Sequence, residues 1–227
     1  MIVWITRGPH KPALVHYLAL FLVICVPQTP LYGQWRVEGW FGDAWNAPTT
    51  LTLAQRGQPD IRIDADWSTR PWNPTWYYAA RVARWSGRSG WGVEYMHHKL
   101  YLDNLQSDVT RFRITNGVNH FLAQRMARYR SWEFGAGAGP TLVVPISTVR
   151  DKEYGERNGV LGSRYELGGA TIQANVARRF RLLPFAYGSL SAKGTVTYLD
   201  VPIAEGRATT TNYALHLQYG ISFQSQP

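Results

Sequence analysis

Glu94, His97, His98 and Lys99 crowd into one stretch, "WGVEYMHHKLYLDN", residues 91–104. A carboxylate or an imidazole can take a proton from a reacting hydroxyl. A lysine can hold a phosphate, and so can the arginines that follow, Arg111 and Arg113. Asn119 and His120 come next in the chain. Glu94 and His97 are therefore the candidate catalytic residues, with His98, Lys99, Arg111, Arg113, Asn119 and His120 as candidate substrate-binding residues. Glu94, His97, His98, Asp103 and His120 are also hard or borderline metal ligands, which makes a divalent metal a cofactor to consider. Spacing alone proves no ligand set, and the cofactor stays open. The plainer reading is that these are ordinary rim residues at the end of a strand.

The elements that must position them are strands. The last segment, "TNYALHLQYGISF", residues 211–223, sets Tyr213, Leu215, Leu217, Tyr219, Ile221 and Phe223 against Asn212, Ala214, His216, Gln218, Gly220 and Ser222. Such period-two alternation marks a half-buried strand. It recurs in "WRVEGWFG", "WEFGAGAGPTLVV" and "ATIQANVARRF". Short connections (86–90, around Ser131, 181–184) alternate with long ones (101–116, 146–164, 199–209). That asymmetry is the mark of a transmembrane β-barrel, with short periplasmic turns and longer outer loops. A closed barrel also satisfies every backbone hydrogen bond, as lipid demands.

Candidate strands lie at 35–45, 59–67, 75–85, 90–100, 117–129, 132–144, 166–179, 185–198 and 210–223. A single-chain barrel with both ends periplasmic needs an even number. Working back from the C-terminus places 59–67 in the first outer excursion. The expected fold is all-β: an antiparallel up-and-down transmembrane barrel of eight strands with an extracellular β-extension. Ten strands is the alternative.

Residues 1–33 read as a secretory signal, with Arg7 and Lys11 before the apolar run Ala13 to Val26. That run is short for a membrane helix, which needs about 20 residues. The barrel domain is then 34–227. The lone Cys25 lies inside the signal, so no disulfide or thiolate site survives cleavage. Removing Arg7 and Lys11 leaves 22 basic and 15 acidic residues, a net of +7. In an exported chain this points to anionic lipid or glycolipid and not to nucleic acid. Arginines flank the short turns at 84, 88, 128, 130, 178, 179 and 181, and either meet inner-leaflet phosphates or are simply solvated.

The polar strand faces should fill the lumen with paired charges. Arg36, Glu38, Arg81, Glu94, Glu133, Gln173, Lys193, His216 and Gln218 are expected inward, joined by Arg125. A filled lumen argues against a diffusion channel. "GAGAG" at 135–139 has the look of a dinucleotide loop but continues a strand, so its glycines make room for large lumen neighbours such as arginine. Glu94, Met96 and His98 should face inward, with Tyr95, His97, Lys99 and Tyr101 outward. A β-bulge at the rim would change that. No histidine–serine motif of a barrel deacylase lies on one strand, and no amphipathic helix of a palmitoyl-transfer barrel follows residue 33.

"GVEYMHHK", with Gly92, Glu94, His97 and Lys99, followed by Asn116-Gly117-Val118-Asn119, resembles the lipid A oxidase-related outer-membrane barrels. The similarity runs through most of residues 35–223. It implies an outer-membrane location, lipopolysaccharide as partner, and oxygen-dependent oxidation of the proximal glucosamine of lipid A. Many relatives are known only as barrels, so a non-catalytic structural or surface-binding barrel is the alternative. Tyr219, Ile221 and Phe223 resemble the aromatic last strand read by the outer-membrane assembly machinery, although the tail "QSQP" follows them. A monomer is expected.

Overall fold

The alternating segments form strands, and these wind into a barrel. The computed structural model describes residues 33–155 and 165–225. The expected signal, residues 1–33, therefore lies outside the described residues but for Gly33, as do 156–164 of the 146–164 excursion. Twelve strands follow one another: β1 (Gln34–Asn46), β2 (Thr49–Gln55), β3 (Ile61–Ala65), β4 (Trp67–Ser68), β5 (Tyr78–Ser86), β6 (Ser89–Leu102), β7 (Val109–Tyr129), β8 (Trp132–Val149), β9 (Lys152–Tyr154), β10 (Glu166–Arg181), β11 (Ala186–Ile203) and β12 (Gly206–Gln224). β1, β5, β6, β7, β8, β10, β11 and β12 pair in that order, and β1 pairs back onto β12. All these pairings are antiparallel, with Arg36 opposite Gln224 and Asn46 opposite Ala214 at the closing seam. The result is a closed eight-stranded barrel, as the alternation and the even-number rule led one to expect.

The outward face carries an apolar band. Val37, Phe41, Val82, Val93, Ile172, Leu215 and Leu217 are exposed at mid-height. Aromatic residues flank the band at both ends: Trp35, Tyr129, Trp132, Phe180 and Phe223 near the short turns, and Trp45, Tyr78, Phe121, Tyr198 and Tyr213 at the far end. An apolar belt between two aromatic girdles is what a bilayer selects on a barrel exterior. The start of β1, the end of β12 and the turns at 87–88, 130–131 and 182–185 share one end, which that rule makes periplasmic. Gly87 turns there with φ +56°, a conformation that a two-residue hairpin turn demands and glycine supplies.

The outer end differs from expectation. Segments 101–116 and 199–209 are mostly strand, because β6, β7, β11 and β12 continue beyond the membrane as long hairpins. β2 pairs with the start of β12, and β3 pairs with β2. The β2–β3 hairpin is the expected extracellular extension. Together with β4 and β8 these strands bury Leu51, Leu53, Ile63, Trp67, Leu100, Phe112, Ile114, Val118, Val143 and Leu199 in one apolar cluster. Each fully buried side chain of this kind contributes about 1.5–3 kcal/mol. The cluster fills the outer end of the barrel as a cap.

Below the cap the lumen is a network of paired charges. Arg36, Glu38, Arg81, Glu94, Glu133, Gln173, Lys193, His216 and Gln218 all point inward and are buried, as expected. Arg36 makes two hydrogen bonds to Glu133, of 2.7 and 3.0 Å, and Arg81 donates to Glu38 at 2.6 Å. Lys193 pairs with Glu94, and the Arg81 guanidinium lies 3.9 Å from the same carboxylate. The guanidinium of Arg36 also covers the Trp85 ring, 4.5 Å from its centroid. The glycines of "GAGAG" do face this interior, but the space that they leave is taken by Gln124 and Asn175 and not by arginine. Arg125 is a second correction: it is exposed, paired opposite Trp91 and Ala136 on the outward face. Its strand keeps strict alternation from Leu122 through Gln124 and Met126, which are the inward residues, so Arg125 must face out. Its long stem lets the charge reach the inner interface. At the periplasmic mouth the lumen widens into a cavity of about 350 Å³, lined by Arg128, Arg130, Arg179 and Arg181 around Glu133.

Candidate functional site

The candidate residues sit where β6 and β7 leave the membrane. Their pairing is regular up to His98 opposite Val118, and it resumes with Leu100 opposite Ile114. Lys99 thus faces a bulge of three residues, 115–117. Gly117 carries it with φ +114°, where a Cβ would come within 2.2 Å of the Asn119 side chain. Only glycine tolerates that conformation without strain. The bulge lies on β7, so β6 keeps its phase. Glu94, Met96 and His98 face inward, and Tyr95, His97, Lys99 and Tyr101 face outward.

This alternation divides the expected site in two. Glu94 is inside, closed in by Lys193 and Arg81. His97 is on the opposite face of the same strand. The expected partnership of Glu94 with His97 is therefore not formed, and the Glu94 carboxylate belongs to the lumen network. His98 and His120 are also inside. His98 Nε2 meets Thr69 Oγ1 at 3.1 Å, and His120 Nδ1 meets Thr171 Oγ1 at 2.7 Å. These rings and His216 cluster, with centroids 5.0 and 6.0 Å from that of His98. His216 is fully engaged, with Tyr77 at Nδ1 and Thr195 at Nε2. Nδ1 of His98 and Nε2 of His120 have no partner among the described residues. Two free nitrogens fall short of a cation site, and among the described residues no group of three or more His, Cys, Asp or Glu is placed to hold a metal ion. The residues present do not fit the divalent metal considered from sequence.

The outward half is a built site. His97 is on the outward side of β6 yet is only 4% exposed, because the chain between β4 and β5 folds over it. Thr75 Oγ1 lies 2.9 Å from His97 Nε2, and Asn119 Oδ1 lies 2.9 Å from His97 Nδ1. Tyr78 stacks on the imidazole, centroids 5.5 Å apart and planes 18° from parallel. Tyr95 donates its hydroxyl to Asn119 Oδ1 at 2.6 Å. An oxygen that accepts from Tyr95 accepts from His97 too, so the imidazole proton is on Nδ1. Nε2 is then the free lone pair, and the Thr75 hydroxyl donates to it. Lys99 fastens the covering segment, donating to the carbonyl oxygens of Arg70 at 2.8 Å and Asn73 at 2.7 Å.

Cations and aromatic rings surround this point. Arg70 lies over the Tyr101 ring, 4.5 Å from its centroid, and pairs with Asp103. Arg111 and Arg113 stand on the outward side of the extension, where Arg113 is opposite Tyr101. Burial first, then the charge of Arg111 and that of Arg70, hold the Arg113 pKa below its ordinary value. It remains a cation, as arginine does throughout the physiological range. Its Nε has no partner among the described residues. Trp72 and Trp76, 64% and 59% exposed, project from the covering segment at the outer aromatic girdle.

Sequence reading missed Thr75, Tyr78 and Tyr95. No local motif joins Thr75 to His97; the link exists only because β5 pairs with β6, with Tyr78 opposite His97. Arg70, Trp72 and Trp76 were also missed, although "TRPWNPTW" concentrates aromatic residues in a loop, which is a signal in itself.

No family model matches this chain, and no curated protein matches it. Solved structures do resemble it in shape. Neisserial surface protein A (NspA) gives a TM-score of 0.43 at 8% identity, over 85% of this chain and 99% of that one. Ail, the attachment invasion locus protein of Yersinia pestis, gives 0.41 at 9% identity, over 85% of this chain and 100% of that one. Likenesses at this level carry no argument about the site. The closed ring, the apolar belt and the two girdles are this chain's own features, and by them it is an eight-stranded β-barrel of the bacterial outer membrane.

Proposed function

We propose that the barrel binds lipid A of lipopolysaccharide at its outer rim and acts on it there. The observation that carries this reading is the outward cluster of Arg70, Arg111 and Arg113 beside the exposed Trp72 and Trp76, at the outer girdle. Lipid A presents phosphates on a sugar at that depth, with acyl chains below. Arginine suits phosphate by its forked donors. The indoles supply an amphipathic surface at the same level. Oxygen-dependent oxidation of the proximal glucosamine is the reaction implied by the resemblance of "GVEYMHHK" and "NGVN" to the oxidase-related barrels. His97 is the candidate base for it, since Glu94 is on the far face of β6. The chain works as a monomer in this reading, delivered by the outer-membrane assembly machinery.

Lipid A from cells with and without the gene, compared by mass spectrometry, tests the activity. A product that gains oxygen only when the gene is present supports the oxidase. Titration of the purified barrel with lipid A, followed by the fluorescence of Trp72 and Trp76, tests the binding. A saturable change in wild type that weakens at least tenfold in Arg111→Ala/Arg113→Ala is expected. No saturable change in wild type would end the lipid A reading.

A further inference from the structure

His97 has two neighbours, Thr75 and Asn119, to which the oxidase reading gives no part. Thr75 Oγ1, the His97 ring and Asn119 Oδ1 stand in line, joined by hydrogen bonds of 2.9 and 2.9 Å. Each has the chemistry of one member of a nucleophile, base and orienter triad. The proton on Nδ1 is fixed by Asn119, whose oxygen is itself held by Tyr95. The ring plane is fixed by the Tyr78 stack. The free lone pair of Nε2 points at a hydroxyl. Thr75 is half-buried, with the indoles of Trp72 and Trp76 exposed on the same segment.

The location is as telling as the geometry. Polar groups on the lipid-facing side of a barrel are costly, and here the segment between β4 and β5 covers the imidazole and shields the relay from lipid. The lumen network does without them, and the cap is built from other residues. The outer girdle is also where the ester carbonyls of outer-leaflet lipids lie, between headgroups and chains.

We propose that Thr75, His97 and Asn119 form an acyl-transfer site that cleaves an ester-linked fatty acyl chain from an outer-leaflet lipid. The proposal rests on the lipid-binding rim described above and adds a hydrolytic reaction, distinct from the oxidation, at the same rim. Thr75 Oγ1 attacks the ester carbonyl carbon while His97 Nε2 takes the hydroxyl proton. The carbon–oxygen bond to the sugar or glycerol breaks, and His97 returns the proton to the leaving oxygen. Water then hydrolyses the acyl-threonine, with His97 again taking and returning a proton, and a free fatty acid leaves. No oxidant is consumed. Thr75 and His97 are the catalytic residues, and Asn119 is a positioning residue acting through His97.

The test uses the full barrel in detergent micelles, checked for folding by its heat shift on a gel. It is incubated with lipid A, and separately with a diacyl phosphatidylethanolamine, and released fatty acid is measured by mass spectrometry. The two lipids separate an acylated sugar from a glycerophospholipid as the source of the ester. Release from one of them is expected. Thr75→Ala and His97→Gln should each lower it at least about a hundredfold, the low end of what a positioned base supplies. Thr75→Ser should recover activity over Thr75→Ala, and an acyl adduct should map to residue 75. Asn119→Ala should lower kcat with little change in KM, and Asn119→Asp should restore it, which a purely structural role would not do. Absence of fatty acid from both lipids, or release that survives Thr75→Ala, overturns the proposal. The fluorescence titration is read on the same samples. Binding without release sinks the acyl-transfer step alone, whereas no binding sinks the lipid A reading.

Discussion

Arg36 and Glu133 close the lower lumen face to face, through two hydrogen bonds of 2.7 and 3.0 Å between strands far apart in the chain. Arg179 adds a third contact to the same carboxylate at 3.0 Å. Glu133→Gln removes the charge that balances two guanidinium groups. Breaking one partner of a buried pair costs about 3–5 kcal/mol. The variant is expected to lose its folded gel mobility at a clearly lower temperature than wild type. A variant that unfolds with wild type would show that the pair does not hold the lumen.

Glu94 is expected to behave as a structural residue. Glu94→Gln leaves Lys193 without its acidic partner and Arg81 with less compensation. The barrel should be destabilised by a few kcal/mol, of the order given for a broken buried pair. Whatever lipid chemistry the folded fraction performs should persist. Equal stability with abolished lipid chemistry would return Glu94 to the site.

Gly117 offers a separate handle on the outer site. A Cβ there meets the Asn119 side chain at 2.2 Å, on a backbone at φ +114°. Strain of this kind costs about 1–3 kcal/mol. Gly117→Ala should keep the heat shift but weaken every activity that depends on His97, because Asn119 is displaced. Wild-type lipid binding and turnover in this variant would show that Asn119 does not position the imidazole.

Leu53, fully buried in the cap, tests the extension. Leu53→Ala should cost about 2–5 kcal/mol locally. Protease should then cut the β2–β3 turn at 56–60 faster, while the barrel below still shows its heat shift. Loss of the whole fold would mean that cap and barrel form one cooperative unit.

Phe223 faces lipid on the last strand and is 49% exposed. Phe223→Asp should impair assembly far more than removal of residues 224–227, because it alters the final aromatic and places a charge on the lipid face. An acid costs less there than the roughly 2–4 kcal/mol of a basic residue at mid-membrane. Normal surface levels of Phe223→Asp would remove this strand from the assembly signal.

Much of the barrel was legible because period-two alternation directly encodes the two faces. Arg36, Glu38, Glu94, Lys193 and His216 were all placed inward correctly by that rule. It failed at Arg125, where the strand's phase was misjudged, and beyond the membrane. In "RFRIT" and "LDVPIAEGRA" the outward residues are polar and turn formers intervene, so strands that build an apolar cap read as loops. The site was legible only in part. Glu94 and His97 are close in sequence, yet odd spacing puts them on opposite faces. Thr75 and His97 are distant in sequence, and a strand register brings them together. Spacing along one strand reports the first fact but not the second.

The cap makes the barrel a cul-de-sac. Bulk water enters the arginine-lined mouth and reaches Glu133 from the periplasm, while a plug of Leu, Ile, Val and Phe side chains meets it from outside. The lumen is therefore approached from its periplasmic end alone, where Glu133 is the carboxylate that lines the mouth. One strand, β6, thus turns a charged face to that closed interior and carries a separate hydrogen-bonded cluster on its other side.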